Sequence, residues 1–277
     1  MKLQYIDSHA HLEFTEYTED RSEVIRRANN IGVTRIVSVS TREQHFKETL
    51  ELAFAYDCLY AALGIHPHEA AGILTAQKDT AEKINELIAQ IKGYLSYDKV
   101  VSIGEIGIDF YRIAREPHSQ RTSIRYVQEQ LFRAQLELAL DADMPVMIHC
   151  RSAYPELLKI LSSYNKTPRM RGMLHSFEGD LKTAQEFIKF GFKLSYSGMV
   201  TYEHSHDYLE AVKHIPLTEI LLETDCPYLS PEPLRGQRNE PAYIEYVAKK
   251  IATLRDISIE EVAQTTTQNA KKLFNLK

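Results

Sequence analysis

The sequence predicts an α/β protein whose eight parallel strands close into a (β/α)8 TIM barrel. Short, almost continuously apolar segments alternate with amphipathic helical segments along the chain, which is typical of parallel strands covered on both faces. In addition, histidine or acidic residues follow five of the eight predicted strands, spread around the strand count. An open doubly wound sheet gathers ligands near one switch point, whereas a closed barrel brings all its strand ends together. The distribution therefore favours the barrel.

In the first half of the chain, four apolar segments predict strands and three amphipathic segments predict the helices between them. The first strand starts near Tyr5 and leads into His9 and His11. The helices show apolar residues at a spacing of three or four, as at Ile84 and Leu87. The elements after the first strand are, in order, a helix over Arg21–Ile31, a strand over Arg35–Val39, a helix over Glu43–Tyr56, a strand over Leu59–Leu63, a helix over Lys78–Tyr94 and a strand over Val100–Ile103.

The second half repeats this alternation. It opens with a long helix that places Val127 and Leu131 on one face, and Gly191 follows a later helix as a C-cap. The predicted elements are, in order, a helix over Ile124–Asp143, a strand over Pro145–Ile148, a helix over Ala153–Tyr164, a strand over Met173–Leu174, a helix over Leu181–Phe190, a strand over Phe192–Ser195, a helix over Asp207–His214, a strand over Ile220–Leu222, and two helices over Pro241–Leu254 and Ser258–Leu273.

Composition and charge indicate one globular domain over residues 1–277. The chain is 44% hydrophobic and 26% charged, and it shows no Pro/Gly/Ser linker or low-complexity tract. Its formal net charge of −5 supplies no global basic field, which argues against a tight structural DNA binder. An enzyme that holds a few phosphates locally remains compatible with this charge. Because such a fold buries its own core, we expect a monomer.

Cysteine usage and the N-terminus indicate a cytoplasmic protein. The three cysteines, Cys58, Cys150 and Cys226, are far apart and form no CxxC motif, so a reducing compartment is expected. The N-terminus lacks the apolar core of a signal peptide, and no apolar run approaches the roughly 20 residues of a membrane span. We expect no membrane partner and no obligate protein partner.

The main chemical signal is a set of four histidines and two carboxylates at predicted strand ends. His9 and His11 are two residues apart in a strand and therefore point the same way. A lone histidine at a strand end is more often structural, but six ligand-type residues in this order predict metal binding. Six protein ligands are more than one ion usually binds. Two ions that share Glu105 as a bridging ligand would use all six. The expected ligands are His9, His11, Glu105 and Asp225 for the first ion, and Glu105, His149 and His175 for the second.

Two divalent ions predict hydrolysis. They would lower the pKa of a water and polarise a phosphoryl or carbonyl oxygen, with Glu105 bridging the ions and Asp225 taking the proton. Imidazoles suit Zn, Mn, Co or Fe, whereas Mg prefers oxygen, so the ligand set leaves Mg²⁺, Mn²⁺ and Zn²⁺ open. The residues by themselves also leave open whether the substrate is a phosphodiester or a carbonyl compound.

A series of short motifs spans nearly the whole chain: Asp7-Ser8-His9-Ala10-His11-Leu12, Gly64-Ile65-His66-Pro67-His68, Gly104-Glu105-Ile106-Gly107-Ile108-Asp109, Pro145-Val146-Met147-Ile148-His149, His175-Ser176-Phe177-Glu178-Gly179, Glu223-Thr224-Asp225-Cys226-Pro227-Tyr228-Leu229, Arg235-Gly236-Gln237-Arg238-Asn239-Glu240-Pro241 and Asn269-Ala270-Lys271-Lys272-Leu273-Phe274. These motifs resemble the successive signatures of the TatD family, metal-dependent DNases of the amidohydrolase superfamily. This resemblance implies a (β/α)8 barrel, a binuclear site, and Mg- or Mn-supported hydrolysis of DNA, typically from the 3′ end of single strands.

Three positions depart from the family pattern. Ser152 stands where the family often has an acidic residue, and Ser176 and Glu178 replace a frequent Cys and a frequent Ser or Thr. A carboxylate at position 178 would repel phosphate if it pointed into the site. The departures therefore concern the identity of the substrate more than metal binding.

Residues near the predicted site are candidates for substrate contacts. Guanidinium groups bind phosphate in bidentate fashion, and Arg151 is the favoured arginine because it lies beside a ligand. The resemblance implies that His66 meets phosphate, although a loop-ordering role is an alternative. Asp109 either orients a neighbouring side chain or caps a helix. The expected substrate contacts are His66, Arg112, Arg151 and Tyr228, with Tyr111, Arg235 and Arg238 as further candidates.

The sequence therefore predicts a metal-dependent deoxyribonuclease, a 3′–5′ exonuclease on single-stranded DNA. The alternative is an esterase, lactonase, amidase or aminoacyl-tRNA deacylase on the same scaffold, since a metal pair polarises carbonyls as well. A metal-loaded binding protein without activity is a third hypothesis, which the complete ligand set disfavours.

Overall fold

Eight parallel strands form one sheet in chain order and alternate with helices, as a (β/α)8 barrel requires. The structure is a computed structural model that describes residues 2–164, 170–203 and 206–276. Each strand pairs with the next one in parallel, from the first pair to the seventh. Within the described residues the strands are β1 (Tyr5–Ala10), β2 (Val33–Val39), β3 (Leu59–Leu63), β4 (Val100–Asp109), β5 (Val146–Arg151), β6 (Gly172–Leu174), β7 (Phe192–Tyr196) and β8 (Ile220–Leu222).

The segment after β8 closes the barrel against β1. The Asp225 N–H donates to the His9 carbonyl at 2.9 Å, and the His11 N–H donates to the Cys226 carbonyl at 2.8 Å. Side chains support the same seam, because the Thr224 hydroxyl and N–H both donate to the buried Asp7 carboxylate. The predicted barrel is confirmed, and its closure places the first and last candidate ligands side by side.

The helices cover the outside of the barrel. Gly32 ends the first helix in the left-handed conformation (φ 104°), and Ile84, Leu87 and Ile91 form the buried stripe expected of the fourth helix. Within the described residues the α-helices are α1 (Arg21–Ile31), α2 (Phe46–Ala55), α3 (Ala70–Leu74), α4 (Thr80–Tyr94), α5 (Phe110–Ile113), α6 (Arg121–Asp141), α7 (Tyr154–Ser162), α8 (Leu181–Lys189), α9 (His206–His214), α10 (Ile244–Arg255) and α11 (Ile259–Phe274).

The barrel interior has its own apolar cluster. Alternation along a strand sends Val37 and Val39 inward, whereas Ile36, which precedes them in β2, packs outward against the helices. Phe274 and Leu276, at the end of α11, belong to the interior cluster. Since α11 also contacts the residues before β1, it lies at the amino-terminal end of the barrel, opposite the strand ends that hold the candidate site.

Two predicted strand ends are wrong. The sequence places the ends of β4 and β5 at Ile103 and Ile148, but the two strands stay paired up to Asp109 and Arg151. Gly107 permits this pairing. Its φ is +146°, and a Cβ there would lie 1.9 Å from the His149 carbonyl oxygen. Glu105 and His149 therefore lie within strands rather than in the turns that follow them.

Several helix boundaries also differ from the prediction. Helix α6 begins at Arg121 rather than Ile124, and the segments predicted over 43–56 and 241–254 each start with a separate 3-10 turn. The last two residues of the helix predicted over Ala153–Tyr164 fall after α7, which ends at Ser162. Short helices α3 and α5 have too few residues to show an apolar period, which is why periodicity does not predict them. No helix in the described part of the chain is long and apolar enough to cross a membrane.

Candidate functional site

The six predicted ligands converge at the carboxyl ends of the strands. Elements far apart in the chain supply them: β1 and the turn after it, β4, β5, and the turns after β6 and β8. Their ligand-type atoms form two groups that share one carboxylate, that of Glu105. The residues brought together are His9, His11, Glu105, His149, His175 and Asp225.

The first group surrounds one carboxylate oxygen of Asp225. The Nε2 atoms of His9 and His11 lie 3.1 Å apart, and each is 3.4 Å from Oδ1 of Asp225. Oε2 of Glu105 completes the group at 3.6 Å from His9 and 3.8 Å from His11. This is the set assigned from the sequence to the first ion.

The second group surrounds the other oxygen of Glu105. Oε1 lies 2.9 Å from Nδ1 of His149 and 2.9 Å from Nε2 of His175. Those two nitrogens are 3.1 Å from each other. The two oxygens of Glu105 thus face different groups, which is the arrangement that a bridging carboxylate requires.

The donors in both groups fit divalent ions. Metal–ligand bonds of about 2.0–2.2 Å place neighbouring ligands roughly 3.0–3.5 Å apart in tetrahedral or octahedral geometry. The separations within the two groups run from 2.9 to 3.8 Å. Pairs of imidazole nitrogens also face each other at 3.1 Å, a separation that a proton or a shared cation between them would satisfy. His149 and His175, together with Glu105, would hold one ion, and His9, His11 and Asp225 would hold the other with Glu105.

A partner outside each group fixes which histidine nitrogen faces inward. Nδ1 of His11 donates to the Val39 carbonyl at 2.7 Å, and Nε2 of His149 donates to Asp109 at 3.1 Å. Nδ1 of His175 lies 3.5 Å from Glu223. For His11 and His149 the remaining nitrogen keeps its lone pair and points into its group, as metal ligation requires, and His175 faces its group with Nε2.

His9 has a different partner. Its Nδ1 lies 2.9 Å from the sulfur of Met147, in the interior of the barrel. Sulfur is a weak acceptor, so this contact orients the ring less firmly than the oxygen acceptors of His11 and His149 do. The ring stacks on that of His175 with centroids 4.1 Å apart, and packing therefore also fixes its orientation.

Asp109 has both of the roles that the sequence left open. One oxygen caps α5 by accepting the Arg112 backbone N–H at 2.8 Å. The other oxygen accepts Nε2–H of His149 and Nε2–H of His68, each at 3.1 Å. The side chain is almost completely buried. Helix capping and histidine orientation are thus two functions of one carboxylate.

The site favours positive charge at its two centres. Burial opposes ionisation of Glu105, but His175 and His66 outweigh it and lower the pKa of the carboxyl group well below its usual value. Burial likewise lowers the pKa of His11, but hydrogen bonds with Asp225 and Glu13 reverse this and raise it. Carboxylates that favour protons on neighbouring imidazoles also favour metal ions. Metal binding is therefore expected to release protons and to weaken as pH falls.

His66 lies closer to the site than the sequence assignment required. Its Nε2 is 3.3 Å from Oε1 of Glu105, so it joins Glu105 and His149 in a possible ligand group. However, Nδ1 of His66 accepts the His68 backbone N–H, which leaves the ring proton on Nε2 when the ring is neutral. Burial lowers the pKa of His66 to about 3, so the ring is neutral at physiological pH. His66 thus presents an N–H donor to the site.

A cleft of about 670 Å³ opens over the two groups. Of the predicted substrate contacts, His66, Arg112, Arg151 and Tyr228 all line it, and the Tyr228 ring is 52% exposed. Glu178 lines it as well, so a carboxylate does face the cleft at the position that departs from the family pattern. The cleft is consequently of mixed charge.

Arg235 and Arg238 lie outside this cleft lining. Arg238 forms a bidentate ion pair with Asp20, at 2.9 and 2.6 Å, and Arg235 packs over the Tyr202 ring and lies 3.7 Å from Glu232. These contacts hold the loop after β8 in place, and of these four predicted arginines only Arg112 and Arg151 line the cleft. His68 belongs to the motif Gly64-Ile65-His66-Pro67-His68, but the sequence assigns it no role. Its contact with Asp109 in the folded protein indicates one.

The profile of the family described as TatD related DNase matches residues 6–275. The chain belongs to the TatD family. A Bacillus subtilis relative named as the uncharacterized metal-dependent hydrolase YabD is 38% identical over 98% of both chains. A Pectobacterium carotovorum relative named as the 3′-5′ ssDNA/RNA exonuclease TatD is 34% identical, covering 98% of this chain and 99% of the relative.

The fold matches that of a solved TatD relative. The crystal structure of YjjV, a TatD homologue from Escherichia coli K12, superposes with a TM-score of 0.86 at 31% identity and covers all of both chains. Since this relationship and the family match extend over nearly the entire sequence, the chain is a TatD-family metal-dependent hydrolase with the family barrel.

Proposed function

We propose that this TatD-family protein is a deoxyribonuclease that removes nucleotides from the 3′ ends of single-stranded DNA with two divalent ions. The observation that carries the proposal is the pair of ligand groups that share Glu105 beneath a cleft containing Arg112 and Arg151. The exonuclease name of the Pectobacterium relative supports the same substrate class. Mg²⁺, Mn²⁺ and Zn²⁺ are the candidate ions.

The residues divide the chemical work. Two bound ions would supply an activated water and stabilise negative charge on the phosphoryl oxygens. Oδ1 of Asp225 is a buried, ionised carboxylate oxygen beside the first group and receives the proton of the attacking water. Glu105 fixes the distance between the groups, and Arg112 and Arg151 orient the phosphate chain at the mouth of the cleft.

A second candidate function is hydrolysis of an uncharged ester, lactone or amide, or deacylation of aminoacyl-tRNA. Glu178 and Glu116 in the cleft lining favour it, because carboxylates there repel a polyanion. The two arginines favour the nuclease, since neither forms an ion pair with a carboxylate in the described part of the chain.

Digestion of 5′-end-labelled single-stranded DNA with Mg²⁺ or Mn²⁺ tests the proposal. We expect a ladder that shortens from the 3′ end and disappears with chelator and in Asp225→Asn. The matched control is Asp141→Asn, an exposed carboxylate at the end of α6, which should retain full activity. Bound metal without DNA cleavage would contradict the nuclease and move the substrate to a carboxylic ester, lactone or amide.

A further inference from the structure

Two arginines of the cleft are held in place by partners that leave their positive charge intact. Arg112 contacts the imidazole of His68, and Arg151 lies over the ring of Tyr111. In the described residues neither arginine is paired with a carboxylate. Arg42, in the same cleft, differs because it lies 3.5 Å from the Glu69 carboxylate. An oriented but unneutralised guanidinium is what anion binding requires.

The state of His68 follows from its neighbours. An arginine can only donate hydrogen bonds, so Nη1 of Arg112, 2.9 Å from Nδ1 of His68, requires a lone pair on that nitrogen. The His68 proton is then on Nε2, where it is donated to Asp109 at 3.1 Å. Asp109 thus fixes a neutral tautomer of His68 that holds Arg112 without cancelling its charge.

Arg151 is supported in an analogous way. Its guanidinium carbon lies 4.0 Å from the centroid of the Tyr111 ring, a stacking distance at which the ring attracts the cation. Arg115 holds Tyr111 by a hydrogen bond to the phenol oxygen at 3.1 Å. The aromatic face therefore orients Arg151 while leaving its N–H groups free to reach the cleft, which Arg151 lines.

Both arginines lie beyond the metal-facing nitrogens. Asp109 and His68 separate Arg112 from His149, and Arg151 is the last residue of β5, two residues after His149. Scissile phosphate oxygens belong at the two ligand groups. A phosphate bound by the arginines is therefore the neighbouring one along the strand.

We propose that Arg112 and Arg151 form a subsite for a second phosphate, the one adjacent to the scissile phosphate, with His68 and Tyr111 as positioning residues. The inference rests on the proposed nuclease function and narrows its substrate to chains that carry at least two phosphates. A simple phosphodiester with one phosphate leaves the subsite empty. The substrate class is an oligonucleotide end rather than an isolated diester.

The test compares the dinucleotide TpT, which has one phosphate, with pTpT, which has a second phosphate on its 5′ side. We expect wild-type protein to show a KM about tenfold lower for pTpT, since charge-assisted contacts to one phosphate are gained. Arg112→Ala and Arg151→Ala should lose most of this preference, so that the KM values for the two dinucleotides become similar. Arg235→Ala is the matched control, because Arg235 lies outside the cleft lining.

Variants of His68 separate positioning from general structural damage. His68→Ala should reduce the preference for pTpT, and it should have no further effect in an Arg112→Ala background. His68→Gln should restore it, because an amide both accepts from Arg112 and donates to Asp109. Equal losses of kcat for both dinucleotides in His68→Ala, with an unchanged KM ratio, would overturn the positioning role.

Equilibrium affinities for TpT and pTpT, measured by calorimetry on metal-loaded Asp225→Asn protein, keep the two proposals separable. Tighter binding of pTpT, lost in the added Arg112→Ala change, supports the subsite even if the wild-type protein hydrolyses neither dinucleotide. Tighter binding of pTpT without hydrolysis of either dinucleotide would contradict the proposed nuclease activity but not the subsite. Equal affinities and equal KM values for both dinucleotides would overturn the subsite.

Discussion

The four candidate histidine ligands do not all use the same ring nitrogen. His9, His11 and His175 present Nε2 to their groups, whereas His149 presents Nδ1. The difference arises because Asp109 accepts Nε2–H of His149, while Val39 accepts Nδ1–H of His11. The residue types alone predict ligands, but the choice of nitrogen depends on partners 28 and 40 positions away in the chain and cannot be read from local sequence.

For the two histidines of the loop after β3, His66 and His68, the sequence predicts one position but not the contacts of the other. The sequence indicates that His66 faces the site, and the structure places it 3.3 Å from Glu105. The sequence does not indicate that His68 contacts Asp109 and Arg112, because these contacts span more than 40 positions. Spacing within one strand predicts a shared face, whereas contacts between separate loops depend on how the barrel closes.

At the same scale, Glu178 is expected to weaken DNA binding. Glu178→Gln removes a negative charge from the cleft lining, so we expect the KM for single-stranded DNA to fall by about two- to fivefold at low salt. Steady-state kinetics at low and high ionic strength measure the effect, which salt should diminish. Glu51→Gln, on the exposed surface of α2, is the control and should change nothing. An unchanged KM in Glu178→Gln would show that the carboxylate does not meet the substrate.

At the scale of elements, the long pairing of β4 with β5 positions two of the ligands. His149 pairs with Gly107 in a ladder that continues to Asp109 and Arg151, and Glu105 lies at the irregularity of β4 between the paired residues Ile103 and Ile106. The predicted strands ended at the last apolar residue before Gly104-Glu105 and before His149, which explains the early ends. A buried polar residue inside a strand interrupts the hydrophobic signal although the backbone continues.

Gly107→Ala should destabilise the protein and disturb the site. A Cβ at this position would lie 1.9 Å from the His149 carbonyl oxygen, at a φ of +146°. We expect a loss of about 2–4 kcal/mol in the free energy of unfolding, measured by urea denaturation. Gly93→Ala is the control, because nothing lies within 4 Å of its new Cβ in α4. It should stabilise the protein by about 0.5–1 kcal/mol. Equal stabilities of the two variants would contradict this account of β4.

At the scale of the whole molecule, barrel closure assembles the site. His9 and Asp225 are 216 positions apart, yet the Asp225 N–H bonds to the His9 carbonyl at the closing seam. The alternation of strands and helices predicted a parallel α/β sheet, and the spread of histidine and acidic residues over five strand ends predicted its closure. Substrate identity was not predictable in the same way, since the barrel accommodates many chemistries and charged groups of both signs line this cleft.

Because the ligands come from both ends of the chain, bound ions should stabilise the entire barrel. Metal at one-hundredfold excess over its Kd is expected to raise Tm by roughly 5–10 °C, as binding to the folded state alone adds about 2.7 kcal/mol. Thermal unfolding with metal and with excess chelator measures the shift. Glu105→Ala should abolish it. A shift of the same size in Glu105→Ala would place the stabilising ions elsewhere on the molecule.

We expect two ions to share Glu105, and the metal content of the protein tests this sharing. Mass spectrometry of the native protein, or elemental analysis after removal of free metal, should give two ions per wild-type chain, about one in Asp225→Asn and none in Glu105→Ala. The difference is expected because Asp225 contacts only the first group, whereas Glu105 contacts both. Two ions retained in Glu105→Ala would contradict the bridge.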